Sequence, residues 1–179
     1  MFISMNTKHK LEKRLSSYWR MELANVIIVP VAMIFLAYSF DSPVGWLSLF
    51  TFIPTCGLLV IGGLYWRGKC EQLAGNKDAL NHMLGHAHWT QFPLLILTVL
   101  ACLLTGLAFF VSDIAISRGD LTVASIASSM AALEYVNYYH RQLQHFDHAA
   151  DFKRLWNGRG FRPSQMSQNL KLWRKERRD

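Results

Sequence analysis

The chain reads as an all-α integral membrane protein, a four-helix bundle with helical extensions on the cytoplasmic side. Three observations predict this. Apolar residues make up 51% of the chain and charged residues only 17%, outside the mixture usual for soluble domains. The charges leave four stretches almost empty, residues 21–40, 44–66, 92–111 and 121–139, each close to the roughly 20 residues a helix needs to cross a hydrocarbon core of about 30 Å. Of the 19 Lys and Arg residues, only Arg118 falls in a connection predicted to face outward. Basic residues are retained on the cytoplasmic side of a bilayer.

Residues 1–20 form a basic amino-terminal segment carrying Lys8, Lys10, Lys13, Arg14 and Arg20. A polar and basic start is unlike a cleavable signal, so the first apolar helix is expected to serve as its own uncleaved signal. Leu11 and Leu15 lie one turn apart, with Tyr18 and Trp19 at interfacial depth. The segment is therefore expected to run as a helix into the first span, where Pro30 predicts a kink. The next turn, Phe40-Asp41-Ser42-Pro43, is too short to leave helices one and two anything but antiparallel neighbours.

Helix two carries Pro54, Gly57, Gly62 and Gly63, which allow bending and close approach of another helix. Gly75-Asn76 predicts its stop and a new cap. The connection 67–90 holds Arg67, Lys69 and Lys77 and is predicted to form a short helix over 77–84, separate from the third span. Helix four is rich in small residues, Ala124, Ser125, Ala127, Ser128, Ser129, Ala131 and Ala132, at spacings that permit tight packing. No proline or glycine interrupts residues 121–157, which predicts a helix of about 55 Å at 1.5 Å per residue, projecting beyond the bilayer. The domain organisation is thus 1–20, a transmembrane unit 21–139, and a basic cytoplasmic extension 140–179. After the break at 158–163, Ser164 caps a last helix. There Met166, Leu170 and Trp173 oppose the basic face of Lys171, Arg174, Lys175 and Arg178. That pattern fits an interfacial helix on anionic lipid headgroups, or a helix packed on a partner or a neighbouring subunit.

Two constellations can carry chemistry. On an unbroken helix four, Glu134, Asn137, Arg141, His145 and His148 share one side, and Glu22 and Asn25 sit at a comparable depth in helix one. Glu22, Asn25, Glu134, Asn137 and Arg141, with Arg20, are expected to build a polar intramembrane cluster. Such a cluster serves as an ion or proton path with Glu134 titrating, or as a buried network that fixes helix register. The second constellation is histidine: His82, His86 and His88 in the second connection, and His140, His145 and His148 beyond helix four. Neutral imidazoles so placed can ligate zinc or iron, with Asp78, Asp147 or Asp151 as carboxylate ligands. In outline this resembles the cytoplasmic histidine boxes of membrane fatty-acid desaturases and hydroxylases, whose paired irons sit beneath a four-helix bundle, and His82-x-x-x-His86 fits the simplest box. No His-His pair occurs and six histidines fall short of the usual diiron set, so family membership is not inferred. Interfacial histidines bonded to water, headgroups and backbone are the simpler expectation, and no cofactor is predicted.

Cys56, Cys70 and Cys102 have no paired spacing and are expected to be free thiols. The net charge of +7 is what basic cytoplasmic flanks require, so no nucleic-acid partner is expected. No phosphate loop, nucleophile elbow or zinc-protease motif is present. These features point to a non-enzymatic, multi-pass protein of a bacterial inner membrane with both termini cytoplasmic. It is expected to self-assemble as a pore or transport component, or to join a larger complex as an accessory subunit. The alternatives are a metal-dependent membrane enzyme acting on a lipid-like substrate, and a membrane-anchored scaffold whose basic tail recruits partners.

Overall fold

The computed structural model describes residues 5–143, 156 and 160–178. Over these residues the chain is all-helical: α1 (Met5–Ser39), α2 (Trp46–Leu73), α3 (Lys77–Ala108), α4 (Arg118–Tyr139) and α5 (Gln165–Glu176). The basic amino-terminal segment does continue into the first apolar stretch as one helix. Short turns make successive helices antiparallel. Asp41 takes a left-handed conformation (φ 50°) between α1 and α2, and Gly75 (φ 111°) does so between α2 and α3, a backbone that a residue without Cβ adopts at no steric cost.

α2 is the central helix, in contact with α1, α3 and α4. Its glycines explain how. A Cβ on Gly63 would strike Leu23 of α1, one on Gly57 would strike Leu94 of α3, and one on Gly62 would strike the Tyr138 ring of α4. Each glycine thus admits a different neighbour, the close approach its small size permits. Thiols add ties between helices. Pro30 has no N–H to give to Val26, four residues earlier, and the Cys56 Sγ of α2 donates to that carbonyl at 3.5 Å. Cys70 donates to the Glu12 carbonyl at 3.8 Å and Cys102 to that of Ser128 at 3.6 Å. All three cysteines are free.

α3 corrects one expectation. No separate helix over 77–84 exists; a single helix runs through Pro93. Its buried positions Leu80, Leu84, Ala87, Leu94, Thr98, Ala101, Thr105 and Ala108 recur at steps of three, four or seven residues. That seam stays on one side across the proline, and packing outweighs the lost backbone bond.

α4 corrects another. It stops at Tyr139 instead of running to residue 157. The Leu143 N–H turns back to Asn137 Oδ1 at 2.9 Å, and Gln142 N–H donates to the Arg162 carbonyl at 2.9 Å. Arg141 pairs with Pro163 in an antiparallel bridge, and Ser164 N–H donates to the His140 carbonyl at 3.1 Å. Backbone groups freed at the helix end are thus taken up by residues 162–164, which no local breaker in the sequence announces.

α1, α2 and α3 contain stretches long and apolar enough to cross a membrane. α4 does not reach that hydropathy, because Ser125, Ser128, Ser129, Glu134 and Asn137 interrupt its apolar residues. Among the described residues, three helices and not the four expected are apolar enough to span a membrane.

Candidate functional site

At the end opposite the basic residues, Asp120 is wholly buried. Ser117 caps α4 by accepting the Asp120 N–H at 2.9 Å, which leaves the Asp120 carboxylate directed away from its own helix. Its Oδ1 accepts from Gly45 N–H at 2.9 Å, Ser48 N–H at 3.0 Å and Ser48 Oγ at 2.6 Å. Its Oδ2 accepts from Ile116 N–H at 3.2 Å. One carboxylate therefore supplies the cap that α2 lacks from its own Gly45 and joins the starts of α2 and α4. The sequence reading missed this role; the spacing Ser117-x-x-Asp120, that of a capping box, is the one local trace of it.

The basic end holds the predicted candidates. Glu22 of α1 and Glu134 and Asn137 of α4 are all buried there. Asn137 Nδ2 donates to Glu134 Oε2 at 3.3 Å. The Tyr138 ring fills the notch left by Gly62, and its hydroxyl lies within electrostatic reach of both Glu22 and Glu134. Asn25 is half-buried one turn beyond Glu22. Arg141 does not join this cluster: α4 ends before it, and its Nη1 donates to the Phe161 carbonyl at 3.1 Å. Arg20 is exposed and stacks over Trp19. Around it, Arg14 donates to the Tyr18 hydroxyl and Arg67 also faces Trp19.

The histidines divide. His82 and His86 are exposed, one turn apart on α3, whereas His88 faces α5, with Nδ1 accepting from Arg174 Nε at 3.2 Å. His140 packs its ring against Tyr135. His145, His148, Asp147 and Asp151 lie outside the described residues. Among the described residues no three His, Cys, Asp or Glu side chains come together as ligands.

α5 docks on this end. Met166, Leu170 and Trp173 are buried in one apolar cluster with Leu58, Tyr65, Leu84, Leu94, Ala131 and Tyr139. The apolar stripe thus packs on the chain's own helices, an arrangement the sequence reading did not consider. Ser164 caps the helix through Ser167 N–H at 3.0 Å and donates its hydroxyl to the Tyr138 carbonyl. Asn169 donates to the Tyr65 hydroxyl at 2.7 Å, and Arg174 donates to Gln91 as well as His88. Lys171, Lys175 and Arg178 remain exposed. Between α5 and the end of α4 lies a cavity of about 400 Å³ lined by Gln91, Tyr139, His140, Arg141, Pro163, Ser167, Leu170, Lys171 and Arg174. Comparison with protein-family models, curated proteins and solved structures finds no match to the chain.

Proposed function

We propose that the chain is a bilayer-spanning protein of a bacterial inner membrane, with four crossings and both termini cytoplasmic. It works by assembly, as a pore or transport component built from several copies or as an accessory subunit of a larger complex. The observation that carries this reading is the outer surface. On α1, Ile27 is 69% exposed and Phe35 72%; on α3, Phe92 is 67% exposed and Leu103 57%. Apolar faces of this extent call for hydrocarbon or a partner around them. α4 serves as the fourth crossing because α2 and α3 cover its small and polar face, so Glu134 and Asn137 have protein neighbours in place of lipid.

The centre is closed. Leu47, Thr51, Thr55, Leu58, Ala124, Ala127 and Ala131 are wholly buried along α2 and α4, so among the described residues of one copy no water-filled route runs between these helices, and a conducting form requires several copies. Reporter fusions after Asp41 and Gly119 are expected to report the outside, and fusions after Lys77 and at the carboxyl terminus the cytoplasm. A cytoplasmic signal at Gly119 sinks the four-crossing reading. Mass measured in detergent is expected to exceed that of one chain, alone or with a co-purifying partner; a bare monomer at all concentrations argues against assembly.

A further inference from the structure

The cavity beside α5 has an unusual lining. His140 and Arg141 reach it from the end of α4, Lys171 and Arg174 from α5, and among the described residues no Asp or Glu lines it. Its volume of about 400 Å³ lies in the range of small-molecule sites, about 300–1,000 Å³. Two of the cations are held in place: Arg141 by the Phe161 carbonyl, Arg174 by His88 and Gln91. Each guanidinium keeps further N–H donors for a ligand, since those bonds use only part of its fork. Ser167 adds a hydroxyl from the first turn of α5. Fixed guanidiniums, a lysine and a hydroxyl around a small space are the donor set of a phosphate site.

We propose that this cavity binds a phosphate ester. The phosphate of an anionic lipid headgroup suits its position, because Gln91 on the cavity wall directly precedes the exposed Phe92, where the apolar outer face of α3 begins. The lipid source rests on the membrane reading; the phosphate chemistry does not. A soluble phosphate ester presents the same group.

The test uses the full chain in dodecyl maltoside, titrated with dioleoylphosphatidylglycerol, with dioleoylphosphatidylcholine for comparison, and separately with glycerol 3-phosphate. Melting temperature reads binding. Phosphatidylglycerol is expected to raise it saturably and phosphatidylcholine much less. Lys171→Gln, whose side chain is exposed, is expected to weaken binding roughly tenfold, the loss of one charge-assisted contact. Arg141→Gln is expected to do the same. Lys175→Gln removes an equal charge from α5 outside the cavity and is expected to leave binding within about twofold. Saturable binding of glycerol 3-phosphate that is sensitive to Lys171 assigns the site to soluble esters as well; binding of phosphatidylglycerol alone assigns it to lipid. Absence of saturable binding by either probe overturns the proposal, as does equal weakening by Lys175→Gln and Lys171→Gln. Release of the protein from membranes by alkaline carbonate sinks the membrane reading while leaving the glycerol 3-phosphate result standing.

Discussion

Asp120 shows how one side chain can set the relation between helices distant in sequence. Its carboxylate takes two backbone N–H groups at the start of α2 and one from Ile116, donors that a helix start otherwise leaves to solvent. Asp120→Ala removes all of these acceptors in a fully buried position and is expected to cost about 2 kcal/mol or more of stability. Asp120→Asn keeps an acceptor oxygen but not the charge, and is expected to fall between the two. Thermal melts of the detergent-solubilised variants check this; equal melting of Asp120→Ala and the parent would show the cap to be dispensable. At the other end Glu134 is the residue to test for function. Glu134→Gln preserves an acceptor for Asn137 while removing a buried ionisable group, and the expected result is altered stability or assembly in line with a network role. Unaltered melting and elution, together with loss of pH-dependent flux in liposomes, would instead assign Glu134 to a conduction path.

At the scale of elements, local pattern and distant contact divide the credit. The apolar stretches, the Gly75 turn and the Ser164 cap were legible because each is written in adjacent residues. The unbroken α3 was not legible: the sequence pattern splits it after residue 84, and its continuity through Pro93 rests on the buried seam facing the other helices. The end of α4 was not legible at all: its freed backbone groups bond to residues 162–164, about twenty positions away. With it went the predicted alignment of Arg141 with Glu134, and for the same reason the cavity between α4 and α5 could not be foreseen. The helix contacts make their own prediction through two glycines. Gly62→Ala drives a methyl into the Tyr138 ring, whereas a Cβ on Gly106 meets nothing within 4 Å. Gly62→Ala is therefore expected to destabilise by about 1–3 kcal/mol. Gly106→Ala, in the last turn of α3, is expected to be neutral or to stabilise by up to about 1 kcal/mol. Melting temperatures that move alike for both would mean that α2 and α4 are not held as closely as their geometry indicates.

Taken as one molecule, the chain keeps the largest apolar cluster among its described residues at the basic end, and α5 contributes part of it. Met166, Leu170 and Trp173 share that cluster with Leu58 of α2, Leu84 and Leu94 of α3 and Ala131 of α4, so the terminal helix packs as part of the core. Its polar ties run to two of the same helices, to Tyr65 of α2 and to His88 and Gln91 of α3. A helix lying on lipid would couple weakly to the remainder and could be lost without unfolding it. A helix built into the core cannot. Trp173→Ala removes a large buried ring, a change that costs about 3–5 kcal/mol in packed interiors, and it also removes the partner that Arg177 stacks on at 4.3 Å. The expected outcome is one cooperative melt displaced to lower temperature, with tryptic cleavage after Lys171 accelerating in step with the global transition. Cleavage that accelerates while the main transition stays in place would identify α5 as an independently opening unit. The shared cluster argues for the first result, because opening α5 alone would expose Leu84, Leu94 and Tyr139 together at the place where three other helices meet.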